Sequence, residues 1–332
     1  MKFSLIICTY QRPKAIVKLL NSVQKQSLYP TEIIIIDGSL DDKTYIEVSN
    51  NNFKNLSYFK VSDNDRGLTK QRNYGISKVS NDMDVICFLD DDTILEKDYF
   101  ENLIKTYTLK IDMLGVGGYI TNEIKWEIQK EEKCPKKYYC IDGYKRIEGL
   151  RFRVRKFLKL IDKTPPGYMP VYSHGRSISF LPPSNKVYPV EYFMGGVSSF
   201  KKEVLDNIKF STYFEGYGLY EDLDFCLRAS KIGQLYVNTT AKLAHHHEEA
   251  GRPNKFNYGK MVVRNGWYVW RVKYPSPTFK AKFLFHINVI ILMKLRFLNS
   301  LYGNHKKEAF TEAFGRLVGW ISLFLSKPGE EK

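Results

Sequence analysis

Four consecutive isoleucines at positions 33–36 stand between Glu32 and the triplet Asp37-Gly38-Ser39. A β-branched run without polar alternation suits a strand covered on both faces, as in a parallel sheet, rather than a strand with one wet side. The pattern recurs through the first hundred residues. Phe3-Ser4-Leu5-Ile6-Ile7-Cys8 runs into Thr9-Tyr10-Gln11-Arg12-Pro13, and Val85-Ile86-Cys87-Phe88-Leu89 runs into Asp90-Asp91-Asp92. Residues 56–61 read as a further strand. Between them, Ile16, Leu19, Leu20 and Val23 recur at helical spacing, and residues 69–78 read as a second helix. The expectation is an α/β fold of βαβαβ type with polar residues at the carboxyl end of each strand, the edge where open α/β sheets bind ligands.

Three carboxylates in a row at the end of an apolar strand repel one another unless positive charge sits against them. A divalent cation answers this, because hard oxygen ligands suit Mg²⁺ or Mn²⁺ and the ion can also clamp phosphate oxygens. The alternative is a solvated acidic turn or an acidic helix start before Leu95. Asp37 at another strand end, and Glu221-Asp222 with Asp224 much later, favour the cation.

The 332 residues carry a formal charge of +15, most of it beyond Gly251, which implies an anionic partner. The five cysteines (Cys8, Cys87, Cys134, Cys140, Cys226) are scattered and lack CxxC spacing, so neither a disulfide framework nor a zinc site is expected, and a reducing cytoplasmic compartment fits. The opening apolar stretch is too short for a signal peptide. The longest apolar run, residues 283–293, includes His286 and Asn288 and falls short of the ~20 residues of a membrane span.

In order and spacing these segments resemble the motifs of family 2 glycosyltransferases. They are Ile6-Ile7-Cys8-Thr9-Tyr10-Gln11-Arg12, the 33–37 strand with Gly38-Ser39, Gly67-Leu68 with Arg72-Asn73-Tyr74-Gly75, and Phe88-Leu89-Asp90-Asp91-Asp92. The likeness resumes at Phe193-Met194-Gly195-Gly196 and at Glu221-Asp222-Leu223-Asp224, covering roughly residues 1–118 and 190–247. It implies a GT-A fold: a Rossmann-like, mixed but mostly parallel sheet flanked by helices. It also implies a nucleotide-sugar donor (UDP-, dTDP- or GDP-linked) and inverting transfer to a hydroxyl of a glycan or lipid-diphosphate-linked acceptor, as in bacterial surface polysaccharide assembly. The implied donor-binding residues are Thr9, Tyr10, Arg12, Asp37, Ser39, Arg72, Asn73, Asp90 and Asp91. Thr9 and Tyr10 would flank the base and Asp37 would contact it. Asp92, with Asp90 and His245, would hold the Mg²⁺ or Mn²⁺. Asp222 is the implied general base, with Glu221 and Asp224 beside it. The family often has two Asp before Gly-Ser, and the first is Ile36 here, which leaves the base identity open.

His245 follows Ala241 and Leu243 at period two, placing it on their face of an extended segment. His246 and His247 carry no assignment, and Arg252 is a candidate phosphate contact. Residues 119–190, rich in basic and aromatic residues, read as a variable acceptor-side insertion within a catalytic domain of residues 1–250. Residues 251–332 read as a basic, amphipathic helical appendage. There, Phe310, Phe314, Leu317, Ile321 and Phe324 form one helical stripe. Contact with an anionic membrane surface, on the inner face of the cell membrane, is preferred for this region over capping of the catalytic domain or a homodimer contact. Two rival functions exist. Nucleic-acid binding rests on bulk charge alone, with no recognition motif, so no nucleic-acid partner is expected. A sugar-nucleotide pyrophosphorylase would need a Gly-rich phosphate loop that the opening lacks.

Overall fold

The computed structural model describes residues 1–109, 112–161, 163–214, 217–247 and 253–329. Strands β1 (Phe3–Thr9), β2 (Glu32–Asp37), β3 (Leu56–Lys60) and β4 (Val85–Asp90) pair in parallel in the order β3-β2-β1-β4. Helices α1 (Pro13–Val23), α2 (Lys43–Ser49) and α3 (Leu68–Ile76) supply the crossovers. Pro13 opens α1, where its missing N–H costs nothing and its fixed φ suits the first turn. The isoleucine run is covered on both faces as expected. Ile33 and Ile35 pack in one core cluster, Ile34 and Ile36 in the cluster on the other side, all at most 2% exposed.

The second half completes a mixed sheet. After β5 (Thr93–Leu95) and α4 (Tyr99–Thr106) comes β6 (Met113–Ile120). A separate antiparallel sheet of β7 (Glu127–Ile128), β8 (Tyr138–Ile141) and β9 (Tyr144–Ile147) follows, then α5 (Leu150–Phe157). Next are β10 (Val187–Val190), β11 (Val197–Lys201), α6 (Lys202–Asn207), α7 (Glu221–Ala229) and β12 (Gln234–His245). β11 lies antiparallel between β4 and β6, and β12 runs parallel to β6, giving the order β10-β12-β6-β11-β4-β1-β2-β3. The end of β12 pairs with β5, and this register sets His245 opposite Thr93, one residue past Asp92.

Cys134 and Cys140 are joined by a disulfide, which corrects the expectation of unpaired thiols; Cys8, Cys87 and Cys226 are free. The chain between the two curls back on itself and brings their Cα atoms to 5.8 Å, within bonding range for a spacing that matches no motif.

Helices α8 (Lys255–Lys273), α9 (Phe279–Tyr302) and α10 (Lys306–Leu325) close the chain. Trp267, Trp270, Phe285, Val289 and Leu323 form a third core cluster with Leu227 of α7, Phe214 and Met169, so the C-terminal helices pack against the part of the chain that precedes them. The apolar stripe is not the seam. Phe310, Phe314, Ile321 and Phe324 are 46–63% exposed, while Ala309, Ala313, Gly315 and Gly319 are buried. Small residues let α10 approach α8 at backbone distance: a Cβ on Gly315 would lie 2.1 Å from the Phe256 carbonyl oxygen. Among the described residues no helix is long and apolar enough to cross a membrane.

Candidate active site

The carboxyl edge of β1, β2 and β4 gathers most of the expected donor-side residues. Asp91 is buried; its Oδ2 accepts from Thr9 Oγ1 at 2.7 Å and its Oδ1 from Arg12 Nη1 at 2.8 Å. Burial pushes its carboxyl up to about 6 against the pull of Arg12 and Thr9. Asp37 is fully buried, accepting from the Ser39 N–H at 2.8 Å and from the Tyr58 hydroxyl. Ser39 Oγ in turn accepts from the Gln11 N–H at 2.7 Å, drawing the β1 and β2 loops together beside the half-buried Tyr10. Gln71 donates to the carbonyls of Thr9 and Ile36, joining the same two strand ends. The turn into α3 passes through Gly67 at φ 119°, where a side chain would be strained.

Arg72 joins the two halves of the sheet edge. It is 2% exposed and lies near the rings of Phe88 and Phe210. Its Nη1 donates to Glu221 Oε1 at 2.5 Å, and its Nη2 faces Asp90 Oδ1 at 3.7 Å. Burial pushes the Glu221 carboxyl up to about 8 despite Arg72, whose guanidinium keeps its charge. Gly195 and Gly196 permit this crowding. A Cβ on Gly196 would fall 2.0 Å from Asp90 Oδ2, and one on Gly195 would fall 2.6 Å from Arg72 Nη1. Asp222 is the next residue along α7. Its Oδ2 accepts from the Gly195 N–H at 3.1 Å and its Oδ1 from the Leu223 N–H at 2.8 Å. Burial raises its pKa above the ordinary value, opposed by those two N–H groups and by Arg72. Asp222 lines a cavity of about 290 Å³ with Met194, Tyr220 and Gly266.

Asp90, Asp92 and His245 place three possible ligand atoms within 4.8 Å of one another. Two carboxylate oxygens and an imidazole nitrogen form a donor set that fits a divalent cation. His245 Nε2 lies 3.1 Å from Asp92 Oδ1, and Nδ1 lies 3.2 Å from Glu123 Oε1. Burial alone would lower the His245 pKa, but its hydrogen bonds to Asp92 and Glu123 and the charge of Asp90 raise it to about 10. Asn122 clamps the His245 backbone through its carbonyl and its N–H. Sequence reasoning missed Glu123, because no local pattern pairs the end of β6 with the end of β12.

Two expected residues stand apart from this group. Asn73 gives both ends of its amide to the backbone of Phe210, at 2.9 Å each. Asp224 is fully buried and held by Arg228, two positions and about 200° around α7 from Asp222. His247 meets Glu123 at 2.9 Å. Arg252 lies outside the described residues.

The mixed sheet with this carboxylate-lined edge is a GT-A fold. The crystal structure of S. aureus TarS 1-349 resembles it with a TM-score of 0.53 over 97% of this chain and 80% of that one, at 17% identity. That of GalNAc-T7 with UDP, GalNAc and Mn2+ gives 0.50 over 82% of this chain and 49% of that one, at 16% identity. The chain belongs to glycosyl transferase family 2, whose model matches residues 4–180. The match runs past residue 118, where the motifs fade, and stops before Gly195 and Glu221. Similar curated proteins include the O-antigen chain rhamnosyltransferase RfbN of Salmonella typhimurium, 35% identical over 31% of this chain and 32% of that protein. The poly(ribitol-phosphate) beta-N-acetylglucosaminyltransferase TarS of Staphylococcus aureus is 31% identical over 36% of this chain and 22% of its own length. The matches thus span a third or less of these relatives.

Proposed function

We propose that the protein moves a sugar from a nucleoside-diphosphate sugar to an acceptor hydroxyl with inversion, in assembly of a bacterial surface polysaccharide. One observation carries this. Asp222 lines a cavity, while its neighbour Glu221 is tied through Arg72 to Asp90 of the cation group. A proton acceptor and a diphosphate-binding edge thereby share one rigid link. In this reading residues 1–118 hold the donor, 119–190 flank the acceptor, 190–250 carry the base and 251–332 form the helical cap.

Asp222 takes the proton of the attacking hydroxyl on the side of the anomeric carbon opposite the departing diphosphate. Its raised pKa makes it a better proton acceptor than an exposed Asp, and the Gly195 and Leu223 N–H groups fix its orientation. Asp90, Asp92 and His245 would hold Mg²⁺ or Mn²⁺, and the GalNAc-T7 structure contains Mn2+ and UDP. When bound, the ion supplies Lewis-acid neutralisation of the leaving group. Glu123 orients His245 as a metal-bound imidazole requires, and Arg12 and Thr9 hold Asp91 beside it.

The exposed face of α10 favours a further reading, that the protein rests on an anionic membrane surface. Phe310, Phe314 and Phe324 project from it, and Lys306 and Lys307 lie at its start. The experiment that tests the main reading is a screen of nucleotide sugars for thermal stabilisation with and without Mn²⁺. A donor that binds the folded state raises Tm only with the ion, and no stabilisation by any nucleotide sugar would overturn it.

A further inference from the structure

A second cavity, about 520 Å³, lies between α5, α8, α9 and α10. Arg151, Lys255, Arg296 and Arg316 line it together with Tyr220 and Tyr258. Among the described residues its only lining carboxylate is Glu312, which is 5% exposed and already shared between Arg316 at 2.6 Å and Arg296 at 2.7 Å. Arg151 pairs with no carboxylate of the described residues and rests on the Phe152 ring at 4.8 Å. Arg296 keeps a buried Nε without a hydrogen-bond partner. Lys255 meets Glu308 at 3.2 Å, where both side chains are 43–50% exposed and the pair is weak. Among the described residues, four cations against two occupied carboxylates, Glu312 and the rim Glu308, leave positive charge and guanidinium donors facing this half-open cavity. An anion with several oxygens, above all a phosphoryl group, satisfies that arrangement.

The cavity adjoins the one that holds Asp222. Arg151, His174, Tyr220 and Leu292 line both. His174 sits between them at φ 63°, an uncommon backbone conformation of the kind found at functional sites. Burial, then the charges of Arg155, Arg316 and Arg151, hold its imidazole down to about 3, so it is neutral in this positive field. None of Asp37, Asp90, Asp92 or His245 lines either cavity, so the basic chamber opens toward the base and away from the nucleotide edge.

We propose that this chamber is an acceptor subsite for a phosphoryl group, holding a phosphate of the acceptor while the hydroxyl of the same molecule reaches Asp222. The inference rests on the glycosyltransferase reading and deepens it by naming the acceptor as phosphoryl-bearing. Two sources share this chemistry, a lipid-linked diphosphate saccharide and a water-soluble phosphodiester chain. Arg151 supplies a guanidinium that meets no carboxylate of the described residues, Lys255 a half-exposed charge at the rim, and Arg296 with Arg316 the floor fixed by Glu312.

The test uses the full chain and the double variant R151Q/K255Q, which touches neither Arg of the Glu312 cluster and so leaves no buried carboxylate unpaired. Inorganic pyrophosphate is titrated calorimetrically in EDTA, which removes metal-dependent binding at the nucleotide edge. The variant is expected to bind it at least about tenfold more weakly than the unmodified protein, with an unchanged melting temperature. In turnover, KM for a phosphoryl-bearing acceptor rises about tenfold or more, and KM for a neutral saccharide stays within twofold. A rise confined to the micellar lipid diphosphate supports the subsite and assigns a lipid source. A rise confined to the soluble phosphodiester supports it and assigns a polymer. Equal pyrophosphate affinity in both proteins, or an equal KM rise with the neutral saccharide, overturns the subsite. If the unmodified protein transfers from no nucleotide sugar, the glycosyltransferase reading fails instead, and the pyrophosphate arm still decides the subsite because it needs no turnover.

Discussion

A carboxylate that accepts two backbone N–H groups and is also buried feels opposing pulls, and at Asp222 burial prevails. The ionised form alone can accept a proton, so turnover falls as pH falls through the Asp222 pKa. That acidic limb lies above the ~3.9 of an ordinary Asp. Asp222→Asn keeps the shape and removes the base. Its kcat should drop by ~10²–10⁴ with donor KM nearly unchanged, and the limb should vanish from the pH profile. Steady-state release of nucleoside diphosphate measures both; a near-normal kcat would move the base to another residue, with Glu221 and Asp224 the first to change singly. Glu123 is the other residue at which the geometry is informative. It faces Nδ1 of His245 while Nε2 faces Asp92, so Glu123→Gln should weaken Mn²⁺ binding by ~10–100-fold without removing a ligand. Calorimetric titration with Mn²⁺ checks this, and unaltered affinity would dismiss the supporting role.

At the scale of elements, α7 stands between two packing regimes. Its N-terminal end carries Glu221 and Asp222 toward the sheet edge, and Leu227 joins the core made by α8, α9 and α10. Deleting everything from Phe279 onward would therefore uncover Trp267 and Trp270 and damage the fold, so truncation is a poor probe of the cap. Single changes at the α8–α10 seam are cleaner. Gly315→Ala drives a methyl group into the Phe256 carbonyl, which no side-chain rotation can relieve. A destabilisation of ~1–3 kcal/mol is expected from such overpacking, read as a lower urea midpoint at constant m-value. A midpoint equal to that of the unmodified protein would mean that the two helices are not held at backbone contact.

For the whole molecule, the excess positive charge and the outward aromatic stripe lie in the same region. Phe310, Phe314 and Phe324 are about half exposed or more, yet their rings meet Phe297, Phe256 and His286, so replacing all three with Ser should lower Tm modestly while leaving the fold intact. Binding to anionic vesicles should weaken at least tenfold, since each Phe transferred to lipid contributes ~1.5–3 kcal/mol when fully buried. In the unmodified protein, binding should fall as salt rises because the charged margins are screened. Cosedimentation with vesicles of anionic and neutral lipid measures both effects. An unmodified protein that ignores anionic vesicles at low salt removes the membrane reading.

The β2 strand and the acidic end of β4 were legible because each is a local pattern. A run of isoleucines excludes a wet face whatever surrounds it, and carboxylates at a strand end mark a ligand edge in an open α/β sheet. By itself, the sequence thus determined the α/β fold, its motifs and the identity of the acidic groups. Tertiary structure decided which of those groups meet. Arg72 and Glu221 are 149 residues apart, and Glu123 and His245 are 122 apart, so no local periodicity announces either pair. It also decided that α10 turns its glycines inward and its phenylalanines outward. Apolar spacing defines a stripe, but which face of a helix is buried depends on how closely another backbone can approach, and only the packed molecule sets that distance.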